Sequence, residues 1–157
     1  MDLTLNVDDY KLNVRAAGLL IHNNKLLVHK NLNSDHYALL GGRVEIGEDS
    51  AKTLKREVKE ELGKEIQITG YAATVENFFE MKGSKYHEIL FIHQIEFANE
   101  QDKKIQHTLK NMEGKDYLQY EWLDLDKIDG YPLVPKATKE IVKKKQLPVH
   151  IINYDKK

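Results

Sequence analysis

"GGRVEIGEDSAKTLKREVKEELG", Gly41 to Gly63, carries the strongest local signal in the chain. From Ser50 onward, Ala51, Leu54, Val58 and Leu62 recur at steps of three, four and four, the apolar stripe of a helix that docks on a sheet. Asp49 or Ser50 can cap its first turn, and Gly63 stands where a left-handed C-cap residue is wanted. The same stretch holds an oddity. Glu57, Glu60 and Glu61 gather toward the helix C-terminus, where like charges three and four residues apart repel and the helix dipole disfavours carboxylates.

On a helical wheel with Glu57 at the origin, Glu60 falls at about 300° and Glu61 at about 40°, so the acids share an arc of roughly 100°. The apolar stripe occupies roughly 60° to 140°, so one side can dock on the core while the next lines a cleft. Two readings of the acids are open at this point. Lys52, Lys55, Lys59 and Lys64 interleave with them, and Glu60 with Lys64 is a favourable i,i+4 pair, so a solvated, salt-laced face accounts for the composition. Crowded into a cleft, the acids instead need protons or cations, because two charges at ~4 Å repel by about 4 kcal/mol near a protein surface. Oxygen ligands in a chain without cysteine suit a hard ion, Mg²⁺ or Mn²⁺, rather than a structural zinc. Upstream, Gly41, Gly42 and Gly47 permit tight turns and close backbone approach, and Glu48 can pair with Arg56 to tie this loop to the helix.

The rest of the chain frames this segment. At 157 residues, without repeats, low-complexity tracts or linkers, residues 1–157 are expected to form a single domain with its own core. The apolar fraction of 41% and charged fraction of 31% are those of a soluble globular protein. The lack of cysteine excludes disulfides and fits a cytoplasmic location, as does an acidic N-terminus without the order of a signal peptide. No apolar run reaches the roughly 20 residues of a membrane span. A net charge of -1 gives no general pull toward nucleic acid or anionic lipid. The lysines of "KATKEIVKKKQ" read as the solvated face of a helix.

Around the central helix the pattern is mostly β. Arg15–His22 and Lys25–Lys30 read as a hairpin joined by Asn23-Asn24, and Tyr37–Leu40 as a short strand stopped by Gly41-Gly42. "EIQITGYAATVENFFE" and "YHEILFIHQIEF" read as long strands around the turn "MKGSK". The second of these is apolar on both faces at Ile89 to Ile92, which predicts a central strand covered on both sides. "YLQYEWLDL" and "VHIINY" are further strands, and "VPKATKEIVKKKQ" is a second helix with Pro135 near its first turn. Residues 98 to 116 are polar and read as a long loop. The class is α/β (α+β), a mixed β-sheet flanked by helices.

Gly42, five residues, Glu48, seven residues, then Arg56-Glu57-Val58-Lys59-Glu60-Glu61-Leu62-Gly63 resembles the Nudix box of the Nudix (MutT-like) hydrolases. Every fixed position is met except the last, where Lys64 replaces an apolar residue and Ile66 is expected to supply that contact. Leu40 stands where many members have proline. The resemblance implies an α/β/α sandwich. It implies Mg²⁺ or Mn²⁺ held by Glu57, Glu60, Glu61 and the carbonyl of Gly42, with Glu57 as base and Arg56 and Glu48 in support. Some members add an acid from a later loop, for which Glu113, Asp116 and Glu121 are the candidates here. The implied reaction is hydrolysis of the diphosphate linkage in a nucleoside diphosphate joined to another group X.

The secondary marks of several subfamilies are missing. No proline occurs between Gly63 and Pro132, as the ADP-ribose type would have, and Tyr71 and Tyr86 are misplaced for the dinucleoside-polyphosphate type. A small nucleotide, a nucleoside triphosphate or a sugar nucleotide, is therefore the expected substrate, with no nucleic acid and no membrane as partner. Homodimers are common in the family, and no stretch here identifies an interface. Phe78, Phe79, Tyr37 and Tyr86 could stack a base, though core packing explains each as well. His87 and Glu88 adjoin on a strand and so face opposite ways. A nucleotide-sensing domain without turnover would be expected to lose box glutamates, all of which are intact. An RNA-decapping enzyme would be expected to carry a basic, aromatic-rich extension, which the chain lacks.

Overall fold

The chain is built around one helix and the strands it covers. The computed structural model describes residues 1–104 and 109–155. Strands β1 (Thr4–Val7), β2 (Tyr10–Leu19), β3 (Ile21–His22), β4 (Lys25–Asn31), β5 (Tyr37–Ala38) and β6 (Leu40–Arg43) precede helix α1 (Ser50–Leu62). After it come β7 (Ile66–Met81), β8 (Ser84–Phe97), α2 (Glu100–Lys104), β9 (Leu118–Asp124), a 3₁₀ turn over Leu125–Gly130, α3 (Ala137–Lys143) and β10 (Val149–Tyr154).

Helix α1 begins and ends where its sequence says. The Asp49 carboxylate accepts the Lys52 N–H at 2.8 Å, and Gly63 takes the left-handed φ of 69° while its N–H bonds the Lys59 carbonyl. Leu54 and Val58 are fully buried beneath it, each worth ~2 kcal/mol of transfer free energy. Ile66 joins the same cluster as Leu62 and Leu54 and fills the apolar role that Lys64 vacates, while Lys64 turns to Asp102 at 2.8 Å.

The larger sheet runs in the order β1-β2-β8-β7-β10, with β6 also on β2. Its β2–β8 and β7–β10 pairs are parallel and the others antiparallel, which makes it mixed, as expected. The smaller sheet runs β3-β4-β5 with β9 on β4. One core cluster lies under α1 (Ala16, Leu27, Leu40, Val44, Ile95), and a second lies under α3 (Ala17, Val75, Ile92, Leu133, Ile141). This is the α/β/α sandwich. Among the described residues no helix is long and apolar enough to cross a membrane.

Several expectations are corrected. The predicted Arg15–His22 strand breaks at Leu20: β2 is held along its length by β8 in the larger sheet, and only Ile21-His22 pairs back on β4. The turn itself is as read, with Asn23 and Asn24 at φ 50° and 61°. Gly41 and Gly42 do not stop a strand but sit inside β6, pressed on β2, where a Cβ on Gly41 would lie 2.0 Å from the Ala16 carbonyl oxygen. Strand β8 is central, but covered unequally. Leu90 and Ile92 are buried, whereas Ile89 and Phe91 on the other face are only partly so, because α1 lies mainly over β2 and β6. The stretch read as a loop over 98 to 116 contains α2, and residues 105–108 lie outside the described residues. Helix α3 is shorter than expected, the chain turning extended at Lys144, and the lysines from Lys143 to Lys145 are exposed as read.

Candidate active site

Arg56 joins the loop to the helix. Its Nε and Nη2 donate to the two oxygens of Glu48 at 2.9 Å each, and Nη2 also reaches the Arg43 carbonyl at 3.3 Å. Thr53 Oγ1 adds a bond to Glu48 at 2.7 Å, so the loop before α1 is clamped to the helix it feeds. The remaining arm, Nη1, lies between Glu57 Oε1 at 3.0 Å and Glu60 Oε2 at 3.4 Å. A guanidinium thus offsets part of the repulsion that the sequence poses. Hydrogen bonds from Arg56 hold the Glu48 carboxyl at about 2, against an ordinary 4.5.

That shift fixes a pH dependence. The folded value lies below the unfolded one, so the clamp's stabilisation is present above about pH 4.5 and fades as the pH falls through about 2. Denaturant midpoints of the wild type and Glu48→Gln are expected to differ most near neutrality and to converge toward pH 2. A gap that stays constant across that window would exclude the clamp as its source.

Glu57 sits between Arg56 and the glycine pair. A Cβ on Gly42 would fall 2.2 Å from Glu57 Cδ, so the carboxylate occupies space that only glycine leaves free. Burial pushes its carboxyl pKa up against the pull of Arg56, and the charges of Glu60 and Glu61 add to the rise. Above that raised value the ionised Glu57 is held at a cost in stability. Glu60 is the open member, its side chain 48% exposed.

Glu61 is buried, at 5% exposure, and faces the smaller sheet. Its Oε1 is bonded to His29 Nδ1 at 3.0 Å and accepts from Tyr120 Oη at 2.8 Å. Burial first, and then the Glu61 charge, push the Tyr120 hydroxyl pKa up. Asn111 Nδ2 donates to Tyr120 Oη at 3.0 Å, and Asn111 Oδ1 accepts the backbone N–H groups of Glu113 and Lys115. The segment carrying Glu113 is therefore folded onto the site's edge, and its charge reaches Tyr120.

The other candidates lie apart. Glu121 points to the opposite face of β9, where its proximity pushes the Tyr37 hydroxyl pKa up, and Asp116 is exposed with its own N–H on the Gly114 carbonyl. Glu88 is buried in the larger sheet between Asn13 and Asn77, and His87 packs on Phe78 at 4.5 Å. Phe79 and Tyr86 stack on each other at 4.7 Å, and Phe78 on Tyr154 at 4.8 Å. Tyr37 meets Tyr131 edge-on at 6.0 Å.

His29, Asn111 and Tyr120 escaped the sequence reading. His29 and Tyr120 are cross-strand partners on β4 and β9, a pairing between distant segments that local periodicity does not reveal. The one available signal was the alternation that sets Tyr120 and Trp122 on one face of their strand.

Among the described residues no three His, Cys, Asp or Glu side chains are gathered into a ready metal cage. Each of the three acids is engaged by other groups instead, Arg56 on Glu57 and Glu60, His29 and Tyr120 on Glu61. The donor chemistry nonetheless fits a hard divalent cation: carboxylates neighbouring in space, one of them half-buried with a raised proton affinity, beside a glycine backbone that leaves room for the ligand's approach.

Comparison with known proteins places this geometry in context. The family model described as NUDIX domain matches residues 12–146. Among solved structures, the solution structure of the E. coli ORF135 protein is 24% identical with a TM-score of 0.58, over 88% of this chain and 91% of that one. The MutT protein from Methanosarcina mazei Go1 gives 21% and 0.60, over 87% and 93%. The MutT NUDIX hydrolase from Burkholderia pseudomallei gives 18% and 0.61, over 86% and 98%. At these identities the likeness is one of fold. No curated protein matches the chain.

Proposed function

From a chain that belongs to the Nudix family, we propose a divalent-metal-dependent hydrolase of the diphosphate linkage in a nucleoside diphosphate joined to another group X, with a nucleoside triphosphate or sugar nucleotide as substrate. The observation that carries this reading is the seat of Glu57: a half-buried carboxylate lodged against Gly42, gripped by an arginine that also clamps the loop, with Glu60 and Glu61 beside it.

Glu57, Glu60, Glu61 and the Gly42 carbonyl would hold Mg²⁺ or Mn²⁺. When bound, such an ion supplies positive charge against the diphosphate oxygens and makes phosphorus a better electrophile. The chain's own groups do the rest. Glu57, whose proton affinity burial has raised, takes the proton from the attacking water as the new P–O bond forms and the bridging P–O bond breaks. Arg56 keeps Glu57 in its seat and neutralises charge that the three acids would otherwise concentrate. Glu48 orients Arg56 and so acts on the chemistry only through it.

A panel of nucleoside di- and triphosphate derivatives, assayed with and without Mg²⁺ or Mn²⁺, tests the proposal. Turnover of a small nucleotide that stops on chelation is the expected result. Tight nucleotide binding without turnover of any compound would point instead to a sensing domain. Turnover confined to capped RNA would point to decapping.

A further inference from the structure

Glu61 differs from the other two acids in that, among the described residues, its side-chain hydrogen bonds come from outside the box. A carboxylate at 5% exposure needs partners, and both come from the smaller sheet. We propose that Tyr120, together with His29, is a positioning residue that fixes the Glu61 carboxylate for cation binding; the inference rests on the metal-dependent reading above.

The geometry is specific. The register of β4 with β9 sets His29 opposite Tyr120, and both groups reach one oxygen, Oε1, at 3.0 and 2.8 Å. Among the described residues no hydrogen bond falls on Oε2, which leaves that oxygen as the ligand. Tyr120 is itself oriented from both sides, giving its proton to Glu61 and accepting from Asn111 at 3.0 Å. The Met112 N–H closes the arrangement on the backbone carbonyl of Glu61 at 2.8 Å, so the acid is held at main chain and side chain alike. A free glutamate must lose rotamer freedom when it binds an ion. Here that ordering is complete beforehand, so the loss does not recur on binding. With Glu61 ionised, the carboxylate can only accept, so the hydrogen bond from His29 places a proton on Nδ1.

A merely structural Tyr120 would affect stability in any background, whereas a positioning Tyr120 acts through Glu61. Titration with Mn²⁺ alone, followed by calorimetry or electron paramagnetic resonance, separates the two in a cycle of wild type, Tyr120→Phe, Glu61→Gln and the double variant. Thermal unfolding without metal checks that each is folded. Loss of an outer partner of a metal ligand typically weakens binding roughly 10–100-fold, and Tyr120→Phe is expected in that range. In the Glu61→Gln background the same change should shift Mn²⁺ affinity by less than about twofold, as expected of residues that act as a unit. Equal Mn²⁺ affinity of wild type and Tyr120→Phe overturns the proposal, and so does an equal loss in both backgrounds. If Tyr120→Phe does not fold, His29→Leu decides by the same comparison. A wild type that hydrolyses nucleotides and binds Mn²⁺ while Tyr120→Phe binds it equally well fails this inference alone; a wild type that binds no Mn²⁺ fails the metal-dependent reading as well.

Discussion

Glu60→Gln is expected to lower metal-dependent hydrolysis by more than about 10²-fold, beyond the loss typical of an outer partner, while moving the melting temperature by no more than about 2 °C. The stability half follows from exposure. The Glu60 side chain is 48% open, and its one described ion-pair contact is the 3.4 Å approach of Arg56, the kind of surface pair that contributes little. Removing its charge also relieves repulsion on Glu57, whose pKa Glu60 helps to raise. The activity half follows from the ligand role proposed for it. Glutamine keeps the shape and one oxygen but gives up the negative charge that a divalent cation needs. The two halves are read separately, by steady-state kinetics and by thermal unfolding. Near-wild-type turnover would remove Glu60 from the site, and a large loss of stability would mean that its exposed setting is misread.

The sequence made the helix legible because every determinant of α1 is local. Asp49, the stripe and Gly63 each act within a turn of where they stand; Asp49 and Gly63 cap the helix, and Leu54, Val58 and Leu62 enter the core, with Ala51 only partly buried at the helix start. The turns at Asn23-Asn24 and at Lys82-Gly83 were legible for the same reason, since asparagine and glycine tolerate the positive φ such turns require, and Lys82 adopts it beside Gly83. What stayed hidden depends on distant segments. That β2 leaves its hairpin partner for β8, whose paired residues lie 75 positions further along the chain (Tyr10 with Lys85, Leu19 with Gln94), follows from the pairing of whole strands. That Gly41 and Gly42 lie within a strand follows from what they touch, Ala16 and Glu57, and composition alone marked them as breakers.

The site divides along the same line. Arg56 and Glu48, eight residues apart on adjoining loop and helix, form the pair that their charges suggested. Glu57, Glu60 and Glu61 share a helix face, but the structure distributes them unevenly. Arg56 holds two of them and the smaller sheet holds the third. The helical wheel places the three carboxylates on an arc and is silent on this division, which depends on what packs against each degree of that arc.

Gly42→Ala and Gly41→Ala are expected to part company, although the residues are neighbours in β6. At Gly41 the added Cβ would lie 2.0 Å from the Ala16 carbonyl oxygen and 2.8 Å from the Ala17 Cα, so the obstacle is the backbone of β2. Two paired strands must separate to admit it, and a loss of stability of roughly 1–3 kcal/mol, the scale of an overpacked core, is expected in chemical denaturation. At Gly42 the Cβ would lie 2.2 Å from Glu57 Cδ and within 2.6 Å of both its oxygens, so the obstacle is the end of a flexible side chain. Glu57 can swing aside, the fold survives, and the carboxylate proposed as general base is lost from its seat. Misplacing such a group removes most of the roughly 10²–10⁴-fold that general base catalysis contributes. Gly42→Ala should therefore unfold near the wild-type midpoint yet turn over substrate at least about 10²-fold more slowly, with Mn²⁺ binding weakened in parallel. Gly41→Ala should show the reverse order, stability falling first and activity following the folded fraction. If Gly42→Ala retained activity, the contact between that glycine and Glu57 would be packing without function, and the observation that carries the proposed reaction would go with it.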